Sequence, residues 1–178
     1  MGKSNGLLIV YTGGGKGKTT AALGMAVRST GYGRRTLILQ FIKGSWRYGE
    51  IDGLKRLAPE VEFIQGGEGF VGIVDDDKPR EDHAAAAQAA LALAREKIAS
   101  DAYDLVILDE ISYAVNLGLI PLGDVLALAQ GRPPRLDLVL TGNHAAPELI
   151  EMADLVTEMR EIKHPYQRGL KAKKGVDF

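Results

Sequence analysis

"VYTGGGKGKTTAA", Val10–Ala22, decides how the rest of the chain is read. An apolar run, Leu7–Tyr11, enters a glycine-rich loop, and a helix is expected over Lys18–Ser29, ending near Gly31 and Gly33. "TGGGKGKT", Thr12–Thr19, matches the phosphate-loop pattern G-x-x-x-x-G-K-[ST] except at its first position, where Thr12 replaces glycine. The chemistry of that pattern is specific. Glycines let backbone N–H groups turn inward and approach oxyanions, and the N-terminus of the following helix adds its dipole. Lys18 brings a movable positive charge, and the Thr19 hydroxyl is a ligand for Mg²⁺. A turn that merely needs positive φ is the bland alternative; the strand–loop–helix context weighs against it.

The partner of such a loop is an acid at the end of another buried strand. "DLVILDE", Asp104–Glu110, supplies one: four apolar residues and then Asp109 and Glu110. Either acid can hold Mg²⁺, directly or through water. The residues alone leave open which of the two is closer. Together the two motifs imply a site for a nucleoside triphosphate with Mg²⁺.

Working outward, strand and helix signals alternate. Strands are expected at Arg35–Ile42, Val61–Gln65, Leu136–Gly142 and Leu155–Ile162. Helices are expected near Ile51–Leu57, over Arg80–Ser100 with its alanine run, at Pro121–Gln130 and at Ala146–Ala153. Gly66–Lys78, with four glycines and then "DDDK", reads as a flexible loop too long to be a connector only. The tail from Lys163 is basic and reads as irregular. This order predicts an α/β, three-layer P-loop NTPase-like fold with a central mostly parallel sheet (RecA-like), as a single domain over 1–178. Ligands of such sheets sit beyond the carboxyl ends of the strands, so the glycine loop, Gln40–Glu50, Asp109–Glu110 and Thr141–His144 should converge.

Composition sets bounds. With 178 residues and 46% hydrophobic content the chain can bury a core. A formal net charge of −1 points to neither nucleic acid nor an anionic membrane. No apolar run approaches a membrane span. Cysteine is absent, which excludes disulfides, thiolate metal sites and a cysteine nucleophile and fits a cytoplasmic location.

Five stretches together, "TGGGKGKTTAALGMAVR", "QFIKGSWRYGE", "DLVILDEISYAV…GLIP", "LVLTGNHAAPELIEMADLVTEM" and "IKHPYQRGLKAKKGVDF", resemble the P-loop ATP:corrinoid adenosyltransferases (BtuR/CobO-like) of cobalamin biosynthesis, over nearly the whole chain from Leu7. The loop is generic; "QFIKG" followed by "GE", and the C-terminal pattern, are specific. The resemblance implies that the broken bond is not between phosphates: the Co(I) centre of a reduced corrinoid (cob(I)alamin, cobinamide or cobyrinic acid diamide) attacks C5′ of ATP, and triphosphate leaves. It implies that Gly13, Gly14, Gly15, Lys16, Gly17, Lys18, Thr19 and Thr20 form the triphosphate cradle. Thr19 and Glu110, with Asp109 beside it, fall on the Mg²⁺ contacts. Arg28 falls on a nucleotide-binding arginine, and Phe70 on an aromatic that packs the corrinoid and displaces its lower axial ligand. The nucleotide is held in the reverse sense to ordinary phosphate-loop enzymes, and Thr12 in place of glycine fits that reversal. A homodimer and a flavoprotein reductant are implied partners.

The chain departs from better-known members at "GFVG", Gly69–Gly72, where they have "GFTW"; Trp46 or Tyr48 is the candidate replacement. Those members also carry an N-terminal helical extension, so closure over the corrinoid is expected to rest on other loops here or to be looser. Asn is common in the family at the position of Gly14, a change the cradle should survive. His83, His144 and His164 lack metal spacing and read as surface or capping residues. "DDDK" reads as a solvated loop, and the basic tail as either a solvated face or a contact for phosphates or corrinoid carboxylates. The loop by itself also fits a P-loop ATPase or small-molecule kinase cleaving the γ-phosphate, or a non-catalytic nucleotide switch.

Overall fold

The computed structural model describes residues 5–42, 48–67, 69 and 78–177. Its strands are β1 (Leu8–Thr12), β2 (Thr36–Gln40), β3 (Val61–Gln65), β4 (Leu105–Asp109), β5 (Asp137–Thr141) and β6 (Leu155–Glu158). They form one sheet in the order β3-β2-β4-β5-β1-β6, and every pairing is parallel. The helices are α1 (Lys18–Thr30), α2 (Gly49–Lys55), α3 (Arg80–Ala99), α4 (Ile111–Asn116), α5 (Leu122–Gln130) and α6 (Pro147–Met152). The α/β class and the parallel sheet expected from the alternating pattern are what the chain adopts.

Side chains alternate across a strand, so the inner strands feed two cores. Leu8, Val10, Leu37, Leu39, Val106, Leu108, Leu138 and Leu140 pack with buried residues of α3 to α6, among them Ala87, Leu91, Ile111, Val125 and Leu149. Ile9, Ile38, Leu105, Ile107 and Val139 face the other way, against Ala22 and Ala26 of α1 and Leu54 of α2. β2 and β4 are buried at all five positions, as continuous apolar strands covered on both faces should be. The alanine run of α3 meets the sheet with small side chains, so a helix of 20 residues lies close to the strands.

Three elements differ from the sequence reading. β6 stops at Glu158, short of Ile162. Past that point β1 has become the glycine loop, and the Met159 carbonyl accepts from Gly15 N (2.7 Å), so the ladder has no strand left to follow. The six-residue α4 has no counterpart among the expected helices, because it is too short to show a helical period. The tail is not wholly irregular, since Pro165–Arg168 forms one 3₁₀ turn, with His164 Nδ1 accepting from Tyr166 N (3.2 Å) as a cap.

Edge strand β3 is tied to the end of α3. Glu62 accepts from Lys97 Nζ (2.6 Å) and from the Tyr103 hydroxyl. The lysine first and then the tyrosine hold the Glu62 carboxyl below its ordinary value. A depressed carboxyl stabilises the fold above its unfolded pKa, and that stabilisation is lost as pH falls through the folded value. Glu62→Gln should lower the melting temperature by about 1–3 °C at neutral pH, since a partly exposed pair contributes little. In thermal melts followed by circular dichroism the difference should begin to shrink as pH falls below the ordinary carboxylate value and vanish only below the lowered folded one.

Candidate active site

The loop that follows β1 is a backbone cradle held from both sides. Gly13 and Gly17 have φ of 98° and 112°, which L side chains rarely adopt. A Cβ on Gly13 would lie 2.5 Å from the Met159 carbonyl oxygen, and one on Gly15 would lie 2.7 Å from the Arg160 carbonyl carbon. The loop is therefore pressed against the chain leaving β6. A Cβ at Gly14 meets nothing within 4 Å, so that position tolerates a side chain. Lys18 Nζ folds back across the loop and donates to the carbonyls of Gly13 (2.7 Å) and Gly15 (3.0 Å). Thr12 also has a partner of its own. Its hydroxyl accepts from Ala145 N (3.0 Å), tying the end of β1 to the β5–α6 loop.

Behind the loop sits Asp109, fully buried at the end of β4. Its Oδ1 accepts from Thr19 Oγ1 (2.9 Å) and Thr141 Oγ1 (2.7 Å), and its Oδ2 accepts from Gln40 Nε2 (2.9 Å). A buried carboxyl without such donors would be costly. Thr141 also accepts from Glu110 N (2.9 Å). That bond helps hold Glu110 in the left-handed region, φ 63°, at the start of α4. Gly142, φ 140°, packs so closely below that an added Cβ would lie 2.6 Å from Tyr113 N.

In front of the loop lies a cavity of about 440 Å³, lined by Lys16, Gly17, Lys18, Thr19, Thr20 and Leu23, by Gly49, Glu50 and Glu110, and by Gly175, Val176 and Asp177. Lys16–Thr20 and Glu110 are thus brought together, with Gly13, Gly14 and Gly15 in the same loop. Asp109 is not on the cavity wall; it is one bond behind it, through Thr19. Arg28 is not brought to the loop. It lies ten residues beyond Lys18 on α1, about 15 Å along the helix, where it lines a small cavity with Tyr32, Arg34, Leu105 and Asp137, the last two at the starts of β4 and β5. A helix that starts at the carboxyl end of the sheet delivers its last turn to the other end. Phe70 and Gly72, Trp46, and Asp75–Asp77 of "DDDK" lie outside the described residues; Tyr48 is buried. His83 is buried in α3, and His144 is exposed with φ 53°.

The residues fit a Mg²⁺ held chiefly by phosphate oxygens and water. The Thr19 hydroxyl and Glu110 border one cavity, and among the described residues no three His, Asp or Glu form an all-protein cage. Gln40, Glu50 and Thr141, in stretches expected to converge on the loop but given no role there, join the site in the structure, and so does Asp177. The signal for three of them is positional: Gln40 and Thr141 end apolar strands, and Glu50 closes the "QFIKG…GE" stretch. Asp177 lies in the C-terminal pattern that carries the resemblance.

Thr141→Val should cost about 1–3 kcal/mol, since it leaves Glu110 N and one Asp109 oxygen short of a partner. Thermal melts should show that loss and nucleotide titration a weaker affinity for Mg-ATP, with Thr141→Ser restoring both. Unchanged affinity would remove Thr141 from the site.

Comparison with known proteins places this geometry in context. A family model described as ATP:corrinoid adenosyltransferase BtuR/CobO/CobP matches residues 4–178. A corrinoid adenosyltransferase of Pseudomonas aeruginosa is 42% identical over 97% of this chain and 84% of its own length. One of Sinorhizobium is 41% identical over 97% and 80%, and corrinoid adenosyltransferase CobA of Salmonella typhimurium is 36% identical over 99% and 87%. Among solved structures, the flagellar accessory protein FlaH of Methanocaldococcus jannaschii superposes with a TM-score of 0.53 at 17% identity, covering 88% of this chain and 72% of its own, a likeness of fold. Among the described residues no helix is long and apolar enough to cross a membrane.

Proposed function

Because the chain belongs to the ATP:corrinoid adenosyltransferase family, we propose that it transfers the 5′-deoxyadenosyl group of ATP to the Co(I) centre of a reduced corrinoid. The observation that carries this reading at the level of the site is the cavity where loop residues Lys16–Thr20 meet Glu110. The cobalt electron pair forms the Co–C5′ bond as the C5′–O bond breaks, and triphosphate departs with the electrons of the C5′–O bond. Such a nucleophile needs no general base. The protein must orient C5′ and receive a polyanion.

Each part of the cradle then has a role. The backbone N–H groups of Gly13–Thr20 and the N-terminus of α1 face the triphosphate. Lys18 exchanges the carbonyls of Gly13 and Gly15 for phosphate oxygens; as the loop's own acceptors hold it until then, its charge is kept at the site. Mg²⁺, when bound, neutralises charge on the triphosphate; Thr19 and Glu110 would hold it, and Asp109 aims Thr19. Phe70 is assigned to the corrinoid. Arg28, which the resemblance assigns to the nucleotide, stands about 15 Å along α1 from Lys18, outside the triphosphate cradle. A single domain, a homodimer, a flavoprotein reductant and a cytoplasmic location complete the proposal.

The test is anaerobic mixing of the protein with Mg-ATP and chemically reduced Co(I) corrinoid. Loss of the Co(I) absorption band, a light-sensitive product and stoichiometric triphosphate are expected, and Lys18→Ala should abolish them. ADP and orthophosphate without a cobalt–carbon bond would instead assign an ordinary phosphoryl-transfer enzyme. In the same assay Glu110→Gln should shift the Mg²⁺ dependence to higher concentration; an unaltered Mg²⁺ curve would take Glu110 off the metal.

A further inference from the structure

The chain that leaves β6 runs from Arg160 to Asp177 without a buried residue, and only His164 and Asp177 are even partly covered. Its beginning is set by the phosphate loop. Met159 N donates to the Thr12 carbonyl (2.8 Å), and Gly15 N donates to the Met159 carbonyl (2.7 Å). Its end returns to the same loop, where Asp177 Oδ1 pairs with Lys16 Nζ. Among the described residues this pair is the one hydrogen bond or ion pair that joins residues 160–177 to the rest of the chain. The segment's other bonds stay inside it. Gln167 Nε2 donates to Glu161 (2.7 Å), and the last residues close a turn. There Asp177 N (2.8 Å) and Val176 N (3.1 Å) donate to the Lys173 carbonyl, while Lys173 N donates to Asp177 Oδ2 (2.7 Å).

This turn stands on the wall of the nucleotide cavity, which Gly175, Val176 and Asp177 line together with Lys16–Thr20 of the loop. A segment with no core of its own opens at little cost. The tie that holds it is also weak, because the Lys16 and Asp177 side chains are 51% and 20% exposed. Lys16 first, and then the Lys173 backbone, holds the Asp177 carboxyl below its ordinary value, so it is charged at neutral pH. The cavity thus carries a carboxylate where a polyanion is to be received, and like charges in one cavity oppose each other. Both anions call on Lys16. The contest is uneven: a triphosphate sets several charged oxygens against one carboxylate, and the loop's backbone N–H groups and the α1 N-terminus side with it.

We propose that the Lys16–Asp177 pair is a latch that folds the C-terminal segment against the nucleotide cavity, and that a triphosphate opens it by taking Lys16 and repelling Asp177. The inference rests on the function proposed above in placing a triphosphate in this cavity. It adds a regulation of that site. Asp177 is a stand-in anion that keeps Lys16 paired until a polyanion arrives, and occupation of the loop is thereby relayed to the C-terminal turn.

The test is hydrogen–deuterium exchange of the full chain, read by mass spectrometry on peptides covering residues 169–177, with calorimetric titration of tripolyphosphate alongside. Wild type is compared with Asp177→Asn and Asp177→Glu. Asparagine keeps an acceptor for Lys173 N and loses the charge that meets Lys16. At low salt, saturating tripolyphosphate should speed exchange of the wild-type turn about threefold, the scale of one exposed ion pair. Potassium chloride at the same ionic strength should speed it less, since it screens the pair without replacing it. Asp177→Asn should exchange at the faster rate with no ligand, respond little to tripolyphosphate, and bind it about threefold more tightly. Asp177→Glu should behave as wild type. Unchanged or slower exchange of the wild-type turn with tripolyphosphate bound would overturn the latch, as would an equal effect of potassium chloride. Weaker binding by Asp177→Asn would make Asp177 a ligand contact and overturn it too, and so would a glutamate variant that behaves as asparagine does. Failure of the underlying reading looks different: the wild type would give no binding isotherm with tripolyphosphate, which withdraws the triphosphate site and the latch with it.

Discussion

Asp109 is fully buried and takes hydrogen bonds from three side chains that arrive on three different elements: Thr19 from α1, Gln40 from β2 and Thr141 from β5. Burying a carboxyl is tolerable only when its oxygens are met, and leaving a buried polar group short of a partner commonly costs about 1–3 kcal/mol. The group therefore works as a gauge for the whole active edge. It fixes the rotation of α1, because only one rotation points Thr19 at β4. It fixes the ends of β2 and β5 against β4, so the loops leaving those strands start from defined places. Through Thr141 it also sets the backbone of Glu110, the acid that does border the cavity.

The strand order explains why this arrangement needs Thr141. β5 lies between β1, which carries the glycine loop, and β4, which carries the acids. Neighbouring strands are about 4.8 Å apart, so the loop and the acid stand roughly 10 Å apart at the sheet edge. Thr19 reaches back from one side of that gap and Thr141 fills it from below. Charge is thereby divided: Asp109 is used up inside, while Glu110 is left at the wall. Two adjacent acids that are equivalent in the sequence become a buried organiser and a cavity group.

Much of this is legible without coordinates. The loop and "LVILDE" each lie on a strand that announces itself by a short apolar run, and the alternation of strand and helix signals fixes the α/β class. What is not legible depends on contacts far apart in sequence. Gln40 and Asp109 are 69 residues apart and meet only because β2 and β4 pair in register. Lys16 and Asp177 are 161 residues apart and meet only because the tail turns back over the loop. The end of β6 is hidden for a similar reason, since "LVTEMREI" keeps its strand-like character after its partner strand has ended. Arg28 shows the reach of a single helix. A match of pattern assigns it to the nucleotide, but the length of one helix carries it to the far end of the sheet.

The same geometry also separates the two chemistries that a phosphate loop can serve. Phosphoryl transfer to a hydroxyl or to water asks for a group that positions the acceptor and takes up its proton. Such a base works best when its pKa is drawn up towards neutrality. At this edge the Asp177 carboxyl moves the other way: Lys16 first, then the Lys173 backbone, holds it below the ordinary carboxylate range. A group held down in this way stays charged and pairs; it does not accept protons near neutral pH. Displacement at C5′ by a cobalt electron pair has no proton to dispose of, and its demand falls on the leaving polyanion. Lys16 and Lys18 of the loop, the glycine cradle and the helix N-terminus all answer that demand. An edge rich in positive charge and held backbone dipoles is what a reaction limited by its leaving group requires.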